Sequence, residues 1–205
     1  MLIALVSIAL GLLASRVVRR MAPAESRARW AQMAGKHAEA EAVWWAELQR
    51  GNITVPVVVE FLAEHRIAKV MAAFHDKVLP EDHPKVITKK PKLEPTKALP
   101  DAEVDAFFAR PGLPHEVTLV WRLQKGEGDD AVLGEIQKAA EQKPPVAWMN
   151  HVLASHAANH GKLLDAATYY EREAVAFGRR DDLELALELR TEAGDRDGVL
   201  ARLND

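Results

Sequence analysis

A glycine turn that recurs along this 205-residue chain constrains its fold more than any other feature. The turns that begin at Gly35 and Gly161 both read Gly-Lys-x-x-acid-Ala, and Gly126 and Gly194 begin weaker copies. Gly126, Gly161 and Gly194 are 35 and 33 residues apart. A period of about 34 residues with a central glycine is typical of stacked helix-turn-helix units. The spacing therefore predicts an all-α chain built from antiparallel helix pairs.

The apolar periodicity on either side of these turns predicts where the paired helices lie. The first pair is expected over 24–34 and 38–50. After a short helix over 101–109, three further pairs are expected over 114–125 with 129–141, 145–159 with 162–177, and 181–193 with 195–203.

Residues 54–78 are the least regular part of this pattern. The valines at 57–59 would suit a strand as well as a helix, but Pro56 cannot donate to a strand ladder and suits the first turn of a helix. We therefore expect one helix here. A second, amphipathic helix is expected to follow it, because apolar side chains recur at helical spacing at Ile67, Val70, Met71, Phe74 and Val78.

Aligned on the turn glycines, the helix pairs share three columns of residues. Two columns, seven positions before the glycine and five after it, hold small or aliphatic side chains, which allow antiparallel helices to approach closely. The third column, nine positions after the glycine, is mostly bulky, and Glu135 interrupts it. The columns are Ala28, Leu119, Ala154 and Leu187; Ala40, Ala131, Ala166 and Val199; and Trp44, Glu135, Tyr170 and Leu203.

These columns, the glycine turn and the bulky residue of the second helix resemble the pattern of tetratricopeptide-repeat proteins. The resemblance covers residues 26–50 and 145–204 best. It implies a right-handed superhelix of antiparallel helix pairs, whose concave groove is lined by the first helix of each pair and binds an extended or helical peptide of a partner protein.

The N-terminus carries a separate signal. Residues 1–15 contain no charge, and Arg16, Arg19 and Arg20 follow directly. A helix over 1–20 is long enough to cross a thin bilayer with its arginines at the interface. Basic residues on the C-terminal side favour a cytoplasmic body, whereas a cleaved signal peptide would carry them before the apolar stretch. We expect a single-pass anchor; a signal peptide and a buried helix are the alternatives.

Proline and lysine dominate residues 79–100, which are expected to form a linker or an insertion. A partner-binding extended segment is the alternative. The predicted organisation is therefore an anchor at 1–20, N-terminal repeats at 24–78, the linker at 79–100 and C-terminal repeats at 101–205.

Composition excludes several classes of function. The formal charge of −3 offers no basic surface for nucleic acid. The chain has no cysteine, which removes disulfides, thiolate nucleophiles and cysteine-ligated metals. The acids at Asp129, Asp130, Asp181 and Asp182 are expected at helix N-termini, where they favour the helix dipole. No cofactor is predicted.

Two groups of residues are candidate contacts for a partner protein. Trp45 points about 100° away from the packing column of its helix, toward a groove or solvent, beside Arg27 or Arg29. Aromatic and arginine side chains often anchor protein partners; packing of Trp45 against a neighbouring pair is the alternative. Asn150 and His151, on the first helix of a later pair, are the second group.

One pair of histidines has metal-ligand spacing. His156 and His160 are four residues apart on a predicted helix, and Glu171 or Glu173 of the facing helix could supply a third ligand. Ala157 stands where a zinc hydrolase of the His-Glu-x-x-His type has its catalytic glutamate. The alternative is that both histidines lie beside the groove with no ligand role.

The sequence thus predicts a membrane-anchored scaffold, not an enzyme, that binds a protein partner through a helical-repeat groove. A metal-dependent enzyme using His156 and His160, and a structural subunit of a larger membrane complex, are the alternatives.

Overall fold

A computed structural model describes residues 21–78, 98–127 and 130–203. Regular structure in these ranges is entirely helical, which confirms the all-α prediction. The described residues form ten helices, in chain order: α1 (Ala24–Met33), α2 (His37–Gln49), α3 (Val55–Val78), α4 (Asp101–Phe108), α5 (His115–Gln124), α6 (Asp130–Glu141), α7 (Met149–Asn159), α8 (Leu163–Phe177), α9 (Arg180–Glu192) and α10 (Arg196–Leu203).

In the described part of the chain, no helix is both long and apolar enough to span a bilayer. The predicted anchor at 1–20 and most of the predicted linker, residues 79–97, lie outside the described residues.

The chain divides into two compact units. The first comprises the described residues of Met1–Asn52 and Glu60–Ala109, and the second those of Ile53–Val59 and Arg110–Asp205. The division falls within α3.

In the first unit, α1 packs on α2 across the turn at Gly35, which has a φ of +69°. An aromatic cluster forms much of the core: the Trp45 ring lies 5.2 Å from Phe61 and 4.9 Å from Phe107, and Phe61 lies 6.3 Å from Phe108. The packing alternative for Trp45 is therefore the arrangement found, with only 7% of the residue exposed.

Helix α3 differs from expectation, because one helix of 24 residues replaces the predicted two. Residues 62–66 contain neither glycine nor proline, so nothing in the sequence ends the first helix. The buried side of the helix is also displaced: Phe61, His65 and Ala68 are buried. Three residues of the predicted apolar stripe are exposed instead: Ile67, Val70 and Met71, of which Val70 is 62% exposed.

In the second unit, each helix from α5 to α10 packs on the next helix in sequence. The turn glycines at 126, 161 and 194 have φ values of +81°, +72° and +75°. These lie in the left-handed region that glycine adopts without a Cβ penalty. The spacing of the predicted turns is therefore confirmed at each of them.

The interruption at Glu135 corresponds to a different set of buried residues on α6. The buried residues of this helix are Val132, Ile136 and Ala140. The first two lie one residue beyond the aligned columns, while Ala131 is exposed. Glu135 instead pairs with His115 of α5 near the surface, at 2.8 Å.

Candidate functional site

A pocket of about 340 Å³ lies among α6, α7 and α8 of the second unit. Its apolar lining residues include Leu153 and Ala157, which are both buried. Several of the polar residues are exposed, so the pocket opens to solvent. Its lining includes Asp130, Gln137, His156, His160, Lys162, Asp165 and Tyr169.

The histidine pair predicted from sequence spacing forms part of this wall. The rings of His156, in the last turn of α7, and His160, the residue that directly follows the helix, lie 4.2 Å apart. Nδ1 of His160 lies 2.8 Å from the carbonyl oxygen of His156. Burial lowers the pKa of His156, and the charges of His160 and Lys162 lower it further. The neutral ring, with a nitrogen lone pair, is therefore favoured at His156.

Glu171 and Glu173, the two candidates for a third metal ligand, bind other groups. Glu171 accepts hydrogen bonds from Arg190 at 2.7 Å and from Arg202 at 3.1 Å. Glu173 accepts one from the backbone N–H of Trp148 at 2.6 Å. Across the described ranges, no three His, Cys, Asp or Glu side chains converge as the ligands of a metal would. The structure thus brings together the two histidines of the prediction, but neither glutamate.

A second cluster surrounds the start of α7. Asp182, buried on α9, binds Nδ1 of His151 at 2.9 Å and Nε of Arg179 at 2.5 Å. The Arg179 guanidinium lies 3.9 Å from the centre of the Trp148 ring. Of the predicted contacts here, His151 is partly exposed, whereas Asn150 is buried and offers a partner little surface.

The backbone of Trp148 adopts a conformation that is uncommon for a residue with a side chain, with a φ of +72°. It is held from two sides, by the hydrogen bond to Glu173 and by the stacked Arg179. Neither the sequence spacing nor the glycine pattern signals this position.

Glu173 and Asp182 are the two fully buried acids of this cluster. Oε2 of Glu173 has no hydrogen-bond partner among the described residues. Burial raises the pKa of Glu173, and the hydrogen bond from Trp148 only partly offsets that effect. The sequence does carry a signal: Glu173 lies seven positions after Ala166 and three after Tyr170, on the buried face of α8.

The first unit contains a buried polar network that joins three segments. His65 of α3 binds Glu41 of α2 at 2.5 Å through Nδ1, and Asp101 of α4 at 3.0 Å through Nε2. Both carboxylate oxygens of Glu41 also accept from the backbone N–H of Leu99, at 3.2 Å. Lys69 completes the network at the surface, 2.6 Å from Asp101. The network fixes the start of α4 to α2 and α3.

The two arginines of the first unit that were predicted to contact a partner lie in different environments. Arg29 is exposed and pairs with Glu25 one turn earlier on α1, at 3.2 Å. Arg27 is half-buried, and its Nε has no hydrogen-bond partner in the described part of the chain. Because Trp45 is buried, it does not form a surface with either arginine.

Comparison with known proteins identifies no relative: no protein-family model, curated protein or solved structure matches this chain.

Proposed function

We propose that this chain is a scaffold that binds a partner protein through a helical-repeat surface. In this proposal the helix pairs form a right-handed superhelix of the tetratricopeptide type, and residues 1–20 anchor it in a membrane with its body on the cytoplasmic side. The main support for this proposal is that consecutive helices from α5 to α10 pack on one another, with left-handed glycine turns at repeat spacing. Such stacks present extended surfaces to partners.

Exposed apolar side chains on α9 support a peptide-binding surface. Helix α9 is the first helix of its pair, the position that lines the groove in the family this chain resembles. Leu183 and Leu185 on it are each 37% exposed, while Ala186 is fully buried against α8. The two leucines are two residues apart and therefore lie on opposite sides of the helix, so one of them is expected to face the groove. Apolar groups that are already partly free of packing can contact a partner without rearrangement of the core.

The membrane part of the proposal rests on sequence. Residues 1–15 are uncharged and are followed by three arginines within five positions. That order of apolar and basic residues favours retention of the following chain in the cytoplasm. An anchor would also raise the local concentration of the scaffold for partners at the same membrane.

The experiment is crosslinking in intact membranes, followed by affinity purification and mass spectrometry. Wild type is compared with a Leu5→Arg, Leu10→Arg variant, because arginine at the centre of a span opposes insertion by about 2.5–3.5 kcal/mol each. Leu10→Ile serves as the apolar control. We expect one reproducible partner with wild type and control, and reduced recovery with the double variant.

Equal recovery from all three proteins would contradict the anchoring role and assign recognition to the repeats alone. Absence of any specific partner from wild type would contradict the scaffold function itself.

A further inference from the structure

We propose that His156 and His160 form a binding site for a divalent transition-metal ion of the Zn²⁺, Ni²⁺ or Cu²⁺ class, at the wall of the pocket among α6, α7 and α8. This inference goes beyond the scaffold function and does not depend on it. It requires no catalytic step.

The geometry of the pair suits a shared ion. Residues four apart on a helix lie on the same face, and the two imidazole rings are 4.2 Å apart. Histidine nitrogens bind zinc at about 2.0–2.1 Å, which requires two ligand nitrogens on neighbouring rings only a few ångströms apart. Both side chains are at least partly exposed, so their rings are free to rotate and bring one nitrogen from each onto a shared ion.

The hydrogen bond of His160 prepares its ring for metal binding. A carbonyl oxygen only accepts, so the 2.8 Å contact with the His156 carbonyl places the proton on Nδ1 of His160. In the neutral ring, Nε2 then carries the lone pair. An N–H donated to a backbone carbonyl is the usual way in which proteins orient a metal-binding histidine.

The pocket supplies room and charge for the rest of the coordination shell. Asp130 and Asp165 line the same space, and their negative charge favours a cation. Because no third ligand converges on the pair in the described ranges, water fills the remaining positions. Imidazole ligands select zinc, nickel and copper over magnesium and calcium, which prefer oxygen.

The positive charge of Lys162 is expected to weaken the binding of a cation. A variant at this residue therefore tests the proposal through a gain of affinity. Lys162 lines the same pocket, and its charge acts on His156. Lys162→Gln removes that charge and leaves a slightly shorter, neutral polar side chain, so it is expected to tighten metal binding severalfold.

The experiment uses the full-length protein without a histidine tag. Zn²⁺ binding is measured by equilibrium dialysis, and the nitrogen ligands of bound Cu²⁺ are counted by electron paramagnetic resonance. We expect one site with two nitrogen ligands in wild type, loss of that site in His156→Ala and His160→Ala, and tighter binding in Lys162→Gln. His115→Ala is the matched control, because His115 is an exposed histidine beside a carboxylate outside the pocket, and this variant should retain the site.

Circular dichroism establishes that each variant is folded, and Lys162→Gln provides a test even if a histidine variant does not fold. The proposal is overturned if wild type binds no Zn²⁺ at millimolar concentration, or if both histidine variants bind as wild type does. Unchanged affinity in Lys162→Gln would place the bound ion outside the pocket and would equally overturn it.

Discussion

Two glutamates on α8 have opposite electrostatic environments although they are two residues apart. Burial raises the pKa of Glu173, which meets one backbone N–H. Burial acts on Glu171 in the same direction, but hydrogen bonds from Arg190 and Arg202 outweigh it and lower the pKa of Glu171. The difference arises from the partners that each side chain finds, since both residues are buried.

Glu173→Gln tests the effect of the raised pKa. Between the ordinary glutamate pKa of about 4.3 and the higher value in the folded state, the folded protein holds the extra proton, so wild-type stability falls as pH rises. The glutamine variant lacks this loss. We expect its free energy of unfolding, relative to wild type, to increase with pH by at most about 1.4 kcal/mol per unit, measured by urea unfolding from pH 4 to pH 8.

Glu171→Gln is the matched control, with the opposite sign. The lowered pKa of Glu171 means that its stabilising contribution is present above the unfolded-state pKa and is lost as pH falls. This variant should therefore lose stability relative to wild type as pH rises through the acid range. Parallel pH profiles for the two variants would contradict the assignment of the two environments.

The polar network around His65 leads to a second prediction about individual residues. His65→Ala leaves the buried Glu41 carboxylate without its side-chain partner, and the free energy of unfolding should fall by about 3 kcal/mol. Lys69→Ala removes only the exposed end of the same network and should cost less than about 1 kcal/mol. Chemical denaturation of both variants measures the difference, and similar losses would show that the network is not centred on His65.

At the scale of the helices, glycines mark most of the boundaries. The predicted pairs around Gly35 and Gly161 agree with the structure to within a few residues. The sequence could not show the fusion in α3, because no breaker separates its halves and valine at 57–59 suits two structures. The burial of Val132 and Ile136 on α6 could not be predicted either, because the aligned columns are counted from the turn glycine, whereas burial depends on how the whole helix packs on its neighbours.

The candidate site could be predicted from the sequence only in part. The spacing of His156 and His160 is a local property of one helix, and the structure retains it. The partners of Glu171 and Glu173 depend on tertiary contacts with other segments, including Arg190 and Trp148. Asp182 lies at the N-terminus of α9, where an acid is expected from the helix dipole alone, so the sequence does not indicate its contact with His151.

Two glycine substitutions test the account of the turns. Gly161 has a φ of +72° and an added Cβ would meet no atom within 4 Å, so Gly161→Ala costs only backbone strain, about 1–2 kcal/mol. Gly134 lies inside α6 with equally open space, and Gly134→Ala should stabilise by about 0.5–1 kcal/mol. Thermal unfolding of both variants gives the comparison. Stabilisation by Gly161→Ala would contradict the left-handed turn.

At the scale of the whole molecule, the second unit is a chain of neighbour contacts from α5 to α10. Such an arrangement leaves long faces of helices available to partners. On α9 those faces include Leu183 and Leu185, and on α8 they include Val175, which is 87% exposed. Exposure alone does not distinguish the two helices, since both present apolar groups. The proposed groove does distinguish them, because only the first helix of each pair lines it.

The most direct measurement is therefore site-specific photocrosslinking of the full-length protein in intact membranes. A photoreactive residue is placed in separate variants at Leu183 or Leu185 on α9, and at Val175 on α8 as the control. We expect a discrete adduct with the same partner protein from at least one α9 position and none from Val175. An adduct from Val175 alone, or no adduct from any position, would contradict recognition through the first helices of the repeat.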